Sequence, residues 1–187
     1  FLNDSPGDVV HRIVPEGESL DPCRSALDRA HEEDPAFEIG YVPDNDGDRG
    51  NLVCFDSFDG HSRPIHAQEV FALSCVAELS YLAVRDGGFD RMKATAAVVN
   101  GPTSLRIERI AERFGARVER AEVGESNVVG KAAALRREGT RVRLLGEGSN
   151  GGTIIHPSSV RDPMSTIGAV VKLIRMEASA GGRSPLD

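Results

Sequence analysis

Residues 94–145, ATAAVVNGPTSLRIERIAERFGARVERAEVGESNVVGKAAALRREGTRVRLL, alternate short apolar runs with longer stretches of helical spacing, and that alternation decides the fold class. Ala94 to Val99 reads as a buried strand. Leu105, Ile107, Ile110, Ala111 and Phe114 recur every three to four positions, so Thr103 to Phe114 reads as a helix that Gly115 stops. A strand from Arg117 to Ala121, a helix from Asn127 to Arg137 with its stop at Gly139, and a strand from Arg141 to Leu145 repeat the pattern. Strands separated by helices of this length imply a mainly parallel sheet with helical crossovers.

The same reading extends outward in both directions. Downstream lie a glycine-rich stretch, an apolar run from Thr153 to Ile155 and a last helix near Pro163 to Ala178. Upstream, Ala67 to Val84 carries helical spacing through Val70, Leu73, Val76, Ala77 and Leu82, after a turn-rich break at Asp59 to Pro64 where a domain boundary is expected. Before the break, a helix around Pro22 to His31 precedes two strands, Glu38 to Val42 and Asn51 to Phe55, that flank an acidic turn. The expected architecture is α/β: two three-layer units with mixed, mainly parallel sheets. The first is incomplete over residues 1–60, the second spans 61–178, and a flexible tail covers 179–187.

Composition bounds the function. With 29 acidic against 22 basic residues among 187, the net charge of −7 repels phosphate backbones and anionic membranes, which argues against a nucleic-acid or membrane partner. An anionic ligand must then be held by local devices: arginines, backbone amides or a bound cation. Cys23, Cys54 and Cys75 are odd in number and form no CxxC pair, so neither a disulfide framework nor a zinc site is indicated, and a reducing, cytoplasmic setting is expected. No apolar run is read as membrane-spanning, and no leader is read at the start, which suggests a truncated chain because it opens at Phe1. His11, His31, His61, His66 and His156 show no paired metal spacing and are read as surface or structural.

Three segments depart from simple packing. In DNDGDR, residues 44–49, Asp44, Asp46 and Asp48 alternate around Gly47 and can converge on one hard cation, Mg²⁺ or Ca²⁺, if the backbone curls; a solvated acidic turn is the alternative. An EF-hand is excluded, because its sixth and twelfth positions need Gly and Glu and here hold Arg49 and Phe55. Arg49 beside a cation suits a phosphate that spans both. In GEGSNGG, residues 146–152, the glycines allow close backbone approach to a ligand and Glu147 offers an acceptor for paired hydroxyls, against the alternative of a flexible turn. In VGESN, residues 123–127, Ser126 or Asn127 is expected to cap the following helix. Arg161 and Asp162 are read as capping the last helix, Asp162 being suited to it.

In this order and spacing the segments resemble the α-D-phosphohexomutase family. YVPDNDGDRGNLV matches its Asp-x-Asp-x-Asp-Arg metal loop at Asp44, Asp46, Asp48 and Arg49, and VVNGPTSLRIERIAERFG is similar to the opening strand and helix of its third domain. The sugar loop in relatives is Glu-x-Ser-Gly or Glu-Gly-Asn-Gly, so GEGSNGG carries one residue more, and Ser149 or Asn150 occupies the polar position. The resemblance implies the later part of domain two followed by domain three of a Mg²⁺-dependent enzyme. That enzyme moves a phosphoryl group between the 1- and 6-positions of a hexose through a phosphoserine and a bisphosphate intermediate.

By the same resemblance Asp44, Asp46 and Asp48 bind Mg²⁺, with Arg49 supporting catalysis. Glu147, Gly148, Ser149, Asn150 and Glu125 contact substrate. Hexose phosphate, hexose bisphosphate and the remaining domains of the parent chain are the implied partners. No Ser-His-Asn loop bearing a phosphoserine occurs in these residues, so the chain by itself is expected to be inactive. The alternative is a non-catalytic relative that binds a cation or sugar phosphate.

Overall fold

The computed structural model of the chain describes residues 16–180, with side chains up to residue 176. His11 and residues 181–187 of the expected tail lie outside the described residues, while residues 179 and 180 still belong to the last helix.

Helix α1 (Asp21–Glu33) admits Pro22 in its first turn, where an amide donor is not needed. Strands β1 (Ile39–Pro43), β2 (Gly50–Asp56) and β3 (His61–Ile65) follow, and β2 pairs antiparallel with both neighbours. This first sheet is antiparallel throughout, unlike the mainly parallel one expected, because two short hairpins join its strands and leave no room for a crossover. The expected break at Asp59 to Pro64 is the tip of the second hairpin plus β3. Its turn-like composition misleads because β3 is an edge strand, where Pro64 can point its missing donor away from the ladder. The expected boundary after residue 60 therefore falls inside a hairpin, and the first sheet ends at Ile65.

Only His66 separates β3 from helix α2 (Ala67–Asp86). His66 and Glu69 form a capping box, and Gly87 closes the helix in a left-handed conformation at φ 79°. There follow β4 (Thr95–Asn100), α3 (Arg106–Arg113), β5 (Arg117–Ala121), α4 (Glu125–Arg137), β6 (Arg141–Glu147), β7 (Gly152–Ile155) and α5 (Pro163–Ala180). The second sheet has the order β5-β4-β6-β7. β4 is parallel to β5 and β6, and β7 returns antiparallel, giving the mixed, mainly parallel sheet expected.

All six residues of β4 are buried, since helices cover both faces of the sheet. Ala97 and Val99 pack with Phe71, Leu79, Leu82, Ile107 and Leu173 on the side of α2, α3 and α5. Ala96 and Val98 pack with Val128, Ala132 and Leu135 of α4 on the other. The first sheet is likewise enclosed: Val53 meets Leu20 and Leu27 on the α1 side, while Leu52, Cys54 and Ile65 meet Val70 of α2 and Val170 of α5. Helices α2 and α5 are thus one layer shared by both sheets.

That sharing explains a departure from the sequence reading. Alone among the described helices, α2 is long and apolar enough by composition to cross a membrane. Its apolar character is not one-sided because it faces two cores at once, and each buried Val, Leu or Phe there contributes roughly 1.5–3 kcal/mol. Glu78, 1% exposed, ties the layer to the second sheet: it accepts from Arg143 Nε on β6 at 2.6 Å and pairs with Lys172 on α5. Cys54 and Cys75 are buried free thiols, each pushed up to about 12 by burial, and Cys23 is a half-buried free thiol.

Candidate functional site

The acidic loop joins β1 to β2 and closes on itself. Asp44 N donates to Arg49 O at 2.9 Å, and Gly47 N to Asp44 O at 3.1 Å, with Gly47 at φ 72° providing the reversal. Asp44 is only 8% exposed and accepts two bonds from Arg49, from its backbone N at 3.1 Å and from Nε at 2.8 Å. One carboxylate oxygen from each of Asp44, Asp46 and Asp48 lies within 4.8 Å of the others.

Asp48 Oδ1 is buried without a hydrogen bond. Arg49 Nε stands 3.3 Å from it, but the single Nε hydrogen is already directed at Asp44 Oδ2. Beside the loop, the Tyr41 hydroxyl is also buried without a partner, and burial together with the charges of Asp44, Asp162 and Asp48 holds its pKa above the usual tyrosine value. Its ring lies so close to Gly50 that a Cβ there would stand 2.0 Å from the hydroxyl oxygen.

The glycine loop sits at the other end of a buried polar network. Glu147, 6% exposed at the end of β6, accepts at Oε1 from Asn100 Nδ2 at 2.9 Å and from Gly124 N at 2.8 Å. Burial alone pushes its carboxyl up, but these donors, Asn150 Nδ2 at 3.5 Å and the charge of Arg161 outweigh burial and hold its pKa below the ordinary glutamate value. Asn100 Oδ1 accepts from Thr103 Oγ1 at 2.6 Å, and Thr103 Oγ1 in turn accepts from Gly148 N at 2.9 Å.

Gly148 packs inward, since a Cβ there would meet Thr103 and Phe71 at 2.9 to 3.1 Å; its close approach is to protein. Asn150 bends back, its Oδ1 accepting from Gly152 N at 3.0 Å, and Ser149 is exposed. Gly124, at φ 117°, is the residue before α4, which starts at Glu125. Neither Ser126 nor Asn127 is the cap, and the Asn127 side chain donates back to Val123 O at 2.8 Å. The Gly124 amide is drawn to Glu147, so this turn is wired to the glycine loop as well as opening a helix.

The two loops are neighbours: a Cβ on Gly151 would lie 3.6 Å from Gly50 O. Arg161 links the acidic loop to the start of α4, with Nη2 2.6 Å from Asp48 Oδ2 and Nε 2.6 Å from Glu125 Oε2. Asp162 caps α5 as expected, accepting from Met164 N at 2.9 Å, but Arg161 does not share that role. The described histidines take structural or surface places: His31 stacks on Phe55 at 3.6 Å, His66 caps α2, and His61 and His156 are exposed.

Asn100, Thr103 and Arg161 are site residues that the sequence reading did not place there. A polar residue ending an otherwise apolar parallel strand was the available signal for Asn100, because ligand sites in such sheets form at strand carboxyl ends. Arg161 had no local signal.

The fold is an α/β/α domain with a buried polar network at the carboxyl ends of β4 and β6, abutting an acidic loop. The chain belongs to the phosphoglucomutase/phosphomannomutase family: the family model for its α/β/α domain III matches residues 78–183, more than half of the sequence. Solved structures share the fold. A phosphoglucomutase/phosphomannomutase family protein from Burkholderia thailandensis superposes with TM-score 0.65 at 19% identity, over 89% of this chain and 31% of its own. A phosphomannomutase candidate from Thermus thermophilus gives 0.64 at 20%, over 92% and 33%. An N-acetylglucosamine-phosphate mutase of the α-D-phosphohexomutase superfamily, in its apo form, gives 0.54 at 12%, over 74% and 36%. The chain spans about a third of the length of each. No curated protein matches it in sequence.

Proposed function

We propose that this phosphohexomutase-type domain supplies the cation loop and the sugar-recognition face of a Mg²⁺-dependent phosphohexomutase. The parent enzyme interconverts hexose 1-phosphate and hexose 6-phosphate through a phosphoserine and a bisphosphate intermediate, the serine being provided by the remaining domains of the parent chain. The observation that carries the reading is the convergence of Asp44, Asp46 and Asp48 within 4.8 Å, on a loop in contact with the loop that bears Glu147.

The donor set fits the cation. Ligand oxygens about 2.1 Å from Mg²⁺ stand roughly 3 to 4 Å apart, so a small contraction of the three carboxylates suffices, and Asp48 Oδ1, buried without a hydrogen bond, keeps its lone pairs available to a cation. When bound, the cation neutralises charge on the transferring phosphoryl group. Arg49, already docked on Asp44, presents its remaining guanidinium donors to the same phosphate. Glu147, kept ionised by Asn100 and Gly124, accepts hydrogen bonds from sugar hydroxyls through Oε2, and Ser149 takes the exposed polar position because Asn150 is engaged in holding the loop.

The test uses the full-length protein with Mg²⁺ and a trace of hexose bisphosphate, assaying interconversion of the 1- and 6-phosphates of glucose, mannose and glucosamine. Turnover that Asp46→Asn abolishes supports the mutase reading and names the sugar. A folded, serine-phosphorylated protein with no turnover on any of them overturns it in favour of binding without catalysis. That second reading draws on the arginines that already neutralise Asp44 and Asp48.

A further inference from the structure

Arg161 occupies a position that its place before α5 does not require. Its side chain runs across Gly152, where a Cβ would stand 2.7 Å from Arg161 Cδ, and its guanidinium is then divided between two acids that belong to different parts of the site. Nη2 meets Asp48 of the acidic loop at 2.6 Å, and Nε meets Glu125 at the start of α4 at 2.6 Å. The side chain is 21% exposed, which limits solvent screening and leaves the pairings geometrically fixed. Glu125 is not among the carboxylates that converge on the candidate cation position.

We infer that Arg161 is a positioning residue that makes cation occupancy of the acidic loop and the setting of the α4 turn depend on each other. This rests on the cation reading of Asp44, Asp46 and Asp48. One positive group serves two carboxylates, so whatever weakens one pairing strengthens the other. A divalent cation bound at the loop competes with Arg161 for Asp48 and shifts the guanidinium towards Glu125. Conversely, Glu125 draws Arg161 away from Asp48 and so favours the cation, although it ligates nothing. The Gly124 amide that holds Glu147 immediately precedes Glu125, so the same displacement reaches the sugar-recognition face.

The experiment is a double-mutant cycle on the full-length protein, with Mn²⁺ affinity read from the free-ion electron paramagnetic resonance signal and no substrate present. Glu125→Gln in the native background concentrates Arg161 on Asp48 and weakens Mn²⁺ binding about threefold. Arg161→Met removes a repelling charge and tightens binding about threefold or more. In the Arg161→Met background Glu125→Gln has no further effect. Arg161→Lys keeps the charge but cannot hold both carboxylates, so it also abolishes the Glu125 effect.

The inference is overturned if the Glu125 effect is the same in all three backgrounds, or if Glu125→Gln leaves Mn²⁺ affinity unchanged. The second criterion stands even if Arg161→Met fails to fold. A native protein that binds no Mn²⁺ sinks the cation reading itself, and this inference with it, whereas binding with an additive cycle sinks this inference alone.

Discussion

The acidic loop and the glycine loop touch, yet they are built in opposite ways. The acidic loop is closed by residues within five positions of one another, Arg49 on Asp44, with a single reversal at Gly47 that opens onto free space. The glycine loop is held from afar: Glu147 by Asn100 at a separation of 47 and by Gly124 at 23, and Gly148 by Thr103 at 45. A locally closed loop keeps its shape through its own sequence. A loop closed by distant partners keeps its shape only while the sheet beneath it is intact, so mutations in the second should cost more and spread further.

The sharpest contrast is between two glycines. Gly146 has φ 150°, and a Cβ there would lie 2.0 Å from Gly152 O and 3.0 Å from the Phe71 ring. Gly146→Ala is expected to cost about 3 kcal/mol or more, lowering Tm by roughly 6–12 °C in calorimetry. Equal tolerance of alanine at Gly146 and Gly47 would break the comparison.

Asn100→Ala comes next. It strips a donor from Glu147 and an acceptor from Thr103 in a site 1% exposed, so urea unfolding should show a loss of about 2–3 kcal/mol. The same network sets a pH dependence. Glu147 has its folded pKa below the ordinary value, so the stability it lends is complete above the unfolded value of about 4.3 and is lost as pH falls through the folded one. Urea midpoints taken from pH 7 down to pH 3 should therefore fall less steeply in Glu147→Gln than in the native chain.

The acidic loop predicts smaller effects. Gly47→Ala meets no atom within 4 Å and bears only the cost of a left-handed alanine, about 1–2 kcal/mol in the same urea experiment. Smallest of all is exposed Ser149→Ala, which should leave stability within about 0.5 kcal/mol. If the proposed sugar contact is right, the same substitution weakens hexose phosphate binding about fivefold by calorimetry, the worth of one hydrogen bond.

The difference in construction also decides what the sequence could show. The alternation of Ala94–Val99, Arg117–Ala121 and Arg141–Leu145 with helical stretches placed the second sheet nearly residue for residue, because period and punctuation are local properties. Convergence of Asp44, Asp46 and Asp48 was legible for the same reason: alternate carboxylates around one glycine can be judged within six residues. Arg161 was not legible, and Asn100 and Thr103 were passed over, since the partners that draw them into the site, Glu147, Gly148, Asp48 and Glu125, lie far along the chain. β3 was misread because the cues of an edge strand, a proline and polar flanks, are those of a loop. The shared layer of α2 and α5 was invisible for a related reason, as an evenly apolar helix carries no mark of how many cores it serves.

The single residue between β3 and α2 has a bearing on modularity. A recombination event or a protease cut in the hairpin tip at residues 57–60 would carry β3 away with the second unit and leave β2 with an unpaired rim of backbone donors and acceptors, an invitation to intermolecular strand pairing. A cut at His66 spares the ladder, which has ended there before the helix begins, but it still parts the first sheet from Val70 of α2, on which Leu52 and Ile65 pack.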